Sequence, residues 1–262
     1  MWLPAVLPTA IAIALLVLPG LRSWADSLRR IGPVLTAPAI SVSLMAANAV
    51  VAPMIHVGWG LPVVAGATAI ASAAAYLIGR RVRVASPTPP RAMRWALIAL
   101  VVVAAIMLAQ FAYAFVSPES IAQRFDNIVH LNAVQYAVLT SDASAFHIGD
   151  TSDISFYPNG WHSVASLTAI ISGVDIPTAV NATNLAIVAV AWPFANVALA
   201  SALFRDRTVA LVSSAVLSTG FGASPRRAVL RLGSALPERA GLQPGPRRTR
   251  LLRVAAARAA GA

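Results

Sequence analysis

Apolar residues fall along this chain in long unbroken blocks. They do not alternate as in a half-buried strand, and they do not recur at three-and-four spacing as on a surface helix. Trp2 to Leu21 is almost entirely apolar, close to the ~20 residues a bilayer-spanning helix needs. Four more blocks follow: Pro33 to Ile55, Leu61 to Gly79, Trp95 to Val116, and Ile176 to Phe204. Proline and amide residues inside them (Pro38, Asn48, Pro53) are tolerated where neighbouring helices satisfy the backbone. The third block is rich in Ala, Gly and Ser, which lets helices approach closely. Two further stretches, 161–173 and 208–219, are apolar but too short to span. The pattern predicts an all-α polytopic transmembrane bundle of about five spans plus a re-entrant or interfacial helix. An extracytoplasmic loop containing an amphipathic helix follows the fourth span.

Charge orients these blocks. No basic segment precedes the first block, and its first Arg, Arg22, comes after it. That order reads as a first span with its N-terminus outside, not as a cleaved leader. Arg22, Arg29 and Arg30 mark one cytoplasmic loop; Arg80, Arg81, Arg83, Arg91 and Arg94 mark a second. Residues 117–160 instead carry Glu119, Asp126, Asp142, Asp150 and Asp153 against the single Arg124, as suits the outer side. Were 161–173 to cross the membrane, Arg205 and Arg207 would lie outside; if it does not cross, they fall inside with the other clusters. The chain thus divides into 1–116 (four spans), 117–162 (an outer loop with the candidate site), 163–222 (a re-entrant segment and further helices) and 223–262 (a tail). Its expected place is the plasma membrane, in contact with membrane lipids.

Composition agrees: 58% of residues are hydrophobic and 11% charged, where soluble domains carry roughly 25% charged. Cysteine is absent, which excludes disulfides and thiolate chemistry. The formal charge is +11, but the excess sits in the tail, so it does not point to nucleic acid. From Ala223 the sequence turns to Arg, Pro, Ala and Gly, and the apolar run from Thr208 stops short. This is the signature of a frame change in GC-rich DNA, with a lipid-binding basic tail as the competing reading; translating the other frames separates the two.

The outer loop holds the candidate chemistry. Ser117-Pro118-Glu119 has a hydroxyl cap, Pro at the first position and an acid in the first turn, which predicts a helix from there to about Leu139. Ile121, Phe125, Ile128, Leu131 or Val134, and Val138 would form its apolar face. Gln123, Asp126, Asn127 and His130 would lie opposite. Asp126 and His130 are four apart, so their side chains can meet. Such a pair can hold a divalent cation (Mg or Mn), orient a general base, or be an ion pair and no more. Asp142, His147, Asp150 and Asp153 form a second polar cluster in turn-forming sequence. In Phe156-Tyr157-Pro158-Asn159-Gly160-Trp161-His162, the residues Tyr157, Trp161 and His162 are candidate substrate-binding groups. Aromatic residues here serve either as interface anchors or as faces for a sugar, and an ionisable His162 at the membrane boundary is a functional candidate. Phosphate-loop, dinucleotide and HExxH motifs are absent. The spans carry no acid and no Lys, which opposes an ion-coupled transporter.

Three stretches, Phe125-Asp126-Asn127-Ile128-Val129-His130-Leu131-Asn132-Ala133-Val134, Ser141-Asp142-Ala143-Ser144 and Phe156–His162, resemble a family of large actinobacterial membrane proteins that look like GT-C-type glycosyltransferases. The resemblance implies a polyprenyl-phosphate sugar as donor, transfer at the outer face in cell-envelope glycan assembly, and Asp126 as base or metal ligand with His130 as the motif histidine. It departs from the GT-C pattern in two ways: Asn127 stands where many members carry a second acid, and the loop follows the fourth span, not the first. Family members also continue with further spans beyond Gly222, so this chain would hold only part of a site. A non-enzymatic scaffold, a translocase subunit or a transporter component is the competing reading.

Overall fold

The structure, a computed structural model, describes residues 2–22, 31–79, 89–122, 125–205 and 207–220. The tail, Arg29, Arg30, Arg80, Arg81, Arg83, Gln123 and Arg124 lie outside the described residues. Among the described residues there are helices and no strand. In order these are α1 (Leu3–Arg22), α2 (Ile31–Met54), α3 (Leu61–Gly79), α4 (Pro90–Phe115), α5 (Phe125–Thr140), α6 (Gly160–Ser172), α7 (Ile176–Ala186), α8 (Trp192–Phe204) and α9 (Thr208–Leu217). Leu3–Leu21, Gly32–Met54, Leu61–Ile78, Pro90–Phe115 and Ile176–Phe204 are long and apolar enough to cross a membrane. The molecule is a polytopic membrane helix bundle, as the apolar blocks predict.

Local sequence sets the helix ends and irregularities. α7 starts where the Asp175 side chain accepts the Thr178 N–H at 3.1 Å, with Pro177 in its first turn. α7 runs into α8 through a π turn, Ile187–Ala191. Pro193 lacks the N–H that Ala189 would accept, and its ring crowds that carbonyl; widening the turn before it relieves both. Gly173, at φ 70°, ends α6 with its N–H on Ala169 O, a left-handed cap that favours glycine.

Two larger buried clusters fill the bundle, beside a small one of Val134, Ala165 and Val180. One runs along α4 from Ala92 to Phe111 and includes Leu185, Val197, Leu211 and Ala215. The other joins Ala12, Leu16, Met45, Ala49 and Trp59 to Ala133, Ala137, Val164 and Leu167, so α5 and α6 belong to the bundle's core. α1 and α2 cross at Gly20. Its N–H donates to Ser41 Oγ at 2.9 Å, and a Cβ there would stand 2.2 Å from Ala37 O.

α6 is too short to cross a bilayer: its 13 residues span about 20 Å at ~1.5 Å each, against a core of ~30 Å. It packs against α1, α2, α5 and α7, and every residue from His162 to Ala169 is buried. Its entry lies inside the bundle. The Asn159 amide donates to Ala46 O at 3.1 Å and to Ala143 O at 3.0 Å. Ala46 is two helical turns, about 12 Å, back from the end of α2.

The turn after α2 and the segment after α5 share one end of the bundle, where Trp59 N–H donates to Ser141 O at 2.6 Å. The Asn181 amide donates to Pro118 O at 2.7 Å and Ser120 O at 2.8 Å, fixing the start of α7 beside the end of α4. α8 therefore runs back along α4, and Arg205 and Arg207 lie toward the end that carries Arg91 and Arg94.

Replacing Gly20 with Ala sets a methyl against backbone that cannot move aside. Overpacking of this kind costs roughly 1–3 kcal/mol, so Gly20→Ala should lower the thermal unfolding temperature in detergent. An unchanged temperature contradicts the crossing described.

Candidate functional site

α5 begins at Phe125, not at Ser117. The Ser117 turn closes on itself: Ser120 N–H donates to Ser117 O at 3.2 Å, and Ser117 N–H to Ser120 Oγ at 3.2 Å. The Asn181 amide takes the Pro118 and Ser120 carbonyls, two of the acceptors a helix starting at Ser117 would need. A capping sequence was present, but a tertiary donor took its carbonyls.

The face that α5 turns inward also differs from the predicted stripe. Of the stripe, Val134 is buried as expected and Leu131 and Val138 are half-buried, but Ile121 and Ile128 are exposed; Ala133 and Ala137 are buried instead, and His130 is half-buried. His130 therefore points toward α6 instead of lying on an outward polar face. Small residues at 133 and 137 let α6 approach closely there, whereas the larger apolar residues of the predicted stripe would hold it off.

His130 Nδ1 lies 3.1 Å from His162 Nε2, and His162 Nδ1 lies 3.0 Å from Pro158 O. These two distances fix the protons. A carbonyl only accepts, so His162 carries its hydrogen on Nδ1 and leaves Nε2 bare. His130 must then donate from Nδ1, and in the neutral tautomer this leaves its Nε2 without a proton. Burial pushes the His162 imidazole down to about 4, and the neighbouring His130 adds to that shift. His162 thus stays neutral, as an acceptor for His130 requires.

Aromatic rings enclose the pair. The two imidazoles stack at 5.2 Å. Trp161 stands edge-on to His162 at 5.0 Å and to His130 at 5.5 Å. Tyr157 lies 5.2 Å from His162 and 5.7 Å from His130. Trp161 Nε1–H donates to Asn184 Oδ1 at 2.9 Å, so this ring is held by α7. Four sequence-predicted residues (His130, Tyr157, Trp161 and His162) therefore come together. Asp126 does not join them: it is exposed on the first turn of α5, and no hydrogen bond or ion pair to His130 occurs among the described residues.

The structure adds groups that sequence reasoning passed over. Asn181 and Asn184 look like ordinary helix–helix amides, yet one clamps the 117–120 turn and the other the Trp161 ring. Asn159 carries the entry to α6, and Ser166 Oγ accepts Trp59 Nε1–H at 3.0 Å. Asn181, Asn184 and Ser166 were marked only by their position inside apolar stretches, whereas Asn159 stood in the Phe156–His162 motif. Among the described residues no three His, Asp or Glu side chains gather to hold a metal ion.

The model of a family of unknown function (DUF6541) matches residues 13–246. No curated protein and no solved structure matches the chain.

The His162 shift has a consequence for stability. In the unfolded chain the imidazole takes its proton near ~6.5; in the fold it resists to about 4. Stability is complete above the upper value and falls as pH drops through the window, because only the unfolded chain gains the proton there. The loss builds to roughly 3 kcal/mol at the acid end. Thermal unfolding of the wild type should weaken steadily from about pH 6.5 to about pH 4, and His162→Asn should flatten that slope. Equal slopes contradict the buried neutral imidazole.

Proposed function

The chain belongs to that family, and we propose that it works at the outer membrane face on a polyprenyl-phosphate-linked sugar, in the manner of GT-C-type glycosyltransferases. One observation carries the reading: the Pro158–His162–His130 chain orients the His130 imidazole, engaging Nδ1 and leaving Nε2 for a substrate, in a ring that packs against Tyr157 and Trp161. An oriented neutral imidazole is a general base suited to near-neutral pH. The end of the bundle away from Arg91, Arg94, Arg205 and Arg207 is the outer one by the positive-inside rule.

In this reading the acceptor hydroxyl gives its proton to His130 Nε2. Its oxygen bonds to the anomeric carbon, the bond from that carbon to phosphate oxygen breaks, and the electron pair leaves with the polyprenyl phosphate. Tyr157 and Trp161 offer ring faces to the sugar and keep water from the base. His162 positions His130 and touches no substrate. Asp126, one turn before His130 at the exposed start of α5, is the group nearest in sequence that can face the donor phosphate. A cation held there would take its other ligands from phosphate and water, so no step is routed through it.

The test uses the full chain in nanodiscs with a polyprenyl-phosphate hexose and a hydroxyl acceptor, with and without Mg or Mn. His130→Gln should reduce transfer by about a hundredfold or more, the usual weight of a general base, and Asp126→Asn should reduce it and remove any dependence on Mg or Mn. Full transfer in both variants contradicts the assignment. Donor binding with no turnover, indifferent to both residues, would instead identify a scaffold or translocase component.

A further inference from the structure

A second imidazole is oriented on the same loop, outside the His130 centre. Asp142 Oδ2 lies 2.6 Å from His147 Nδ1, and the other carboxylate oxygen accepts the Ser144 N–H at 2.9 Å. The carboxylate accepts from His147 Nδ1–H, which orients the ring with Nε2 turned away from Asp142. The His147 side chain is 44% exposed, against 19% for Asp142, so His147 is the solvent-facing partner.

The turn that carries this pair is fixed. His147 and Ile148 both donate to Ser144 O at 3.0 Å. Gly149 packs so closely under Ile154 that a Cβ would stand 2.2 Å from its carbonyl oxygen. Tyr157 N–H donates to Ala145 O at 2.7 Å, and the Tyr157 ring lies against His130 and His162. One residue thus ties the turn to the first centre. Phe146 and Phe156 stand side by side at 5.5 Å, each more than half exposed, and Asp150 and Asp153 are exposed on the same turn. Burial and the carboxylates of Asp142 and Asp150 raise the Tyr136 phenol above its usual range, which places α5 under the same negative field.

We propose that the Asp142–His147 turn, with Phe146 and Phe156, is a saccharide-binding site, distinct from the His130 centre. The groups on offer select the ligand. The exposed carboxylates accept and the second His147 nitrogen is left for a ligand, so hydroxyl groups, which both donate and accept, suit this turn. The same negative charge repels phosphate and other anions. A preformed aromatic ledge asks for an apolar face, and a pyranose ring combines hydroxyl donors with a face of C–H bonds. In the transfer reading this site holds the acceptor glycan; the binding claim does not need that reading.

The probes are methyl hexopyranosides, followed by saturation-transfer NMR on the full chain in nanodiscs. Saturation should reach the ring C–H protons. His147→Gln and Asp142→Asn should weaken binding about tenfold, as loss of a hydrogen bond to an oriented or charged group does. Phe156→Ala, an exposed change that leaves the turn's hydrogen bonds intact, should do the same and guards against misfolding of the other variants. In His130→Gln the dependence of glycoside binding on His147, Asp142 and Phe156 should persist, so loss of transfer with that dependence retained bears on the His130 centre alone. The proposal is overturned if glycoside saturation is the same in all variants, or if choline binds there and the glycosides do not. It is equally overturned if Phe156→Ala changes only the association of the protein with lipid.

Discussion

A short helix enclosed by spanning helices depends on how the chain reaches it. At membrane depth no water is present to satisfy irregular backbone, so every exposed carbonyl on the way in must find a protein donor. Asn159 meets that requirement with one amide, which bonds the loop carbonyl of Ala143 and the α2 carbonyl of Ala46 together. Asn181 does the same at the rim for Pro118 and Ser120. These two side chains hold irregular backbone against helices whose own hydrogen bonds are already made. The position of α6 follows from them, and with it the position of His162.

The site inherits that geometry. Pro158 lies one residue before Asn159, so the clamp that brings the chain into the bundle also places the carbonyl that fixes the His162 proton. From there donors and acceptors follow in order: carbonyl, His162, His130, with His130 Nε2 left over. Burial supplies the remaining condition by keeping His162 neutral. Trp161, tied to Asn184 on α7, closes one side, and Tyr157 closes another while anchoring the 145 turn. The two oriented imidazoles of the loop, His130 and His147, are thus built differently: one through a buried histidine and a carbonyl, the other through a carboxylate at the surface.

The bundle was legible in the sequence because spanning helices are written in composition: the five apolar blocks and the five spanning helices coincide to within a few residues at most ends. The shortness of 161–173 and the Arg205–Arg207 cluster also gave α6 its non-spanning character without any contact information. What stayed hidden was set by long-range pairing. The Ser117 capping sequence is a good local helix signal, but Asn181, some sixty residues away, claims its carbonyls. The apolar stripe of α5 placed Val134 correctly on the buried face, but close packing on α6 selected Ala133 and Ala137 beside it in place of Ile121 and Ile128. For the same reason the Asp126–His130 pair, plausible by spacing, gives way to His130–His162. Helical periodicity says which side chains share a face; it does not say which face the neighbour will cover.

The proton order along Pro158, His162 and His130 is directly observable. Histidine-selective 15N labelling with two-bond nitrogen–proton correlation assigns the tautomer of each of the four rings in the full chain. The geometry predicts His162 and His130 both protonated on Nδ1 with bare Nε2 at near-neutral pH, and His130 losing that preference in His162→Asn. A His130 ring protonated on Nε2, or one whose tautomer ignores the loss of His162, would contradict it.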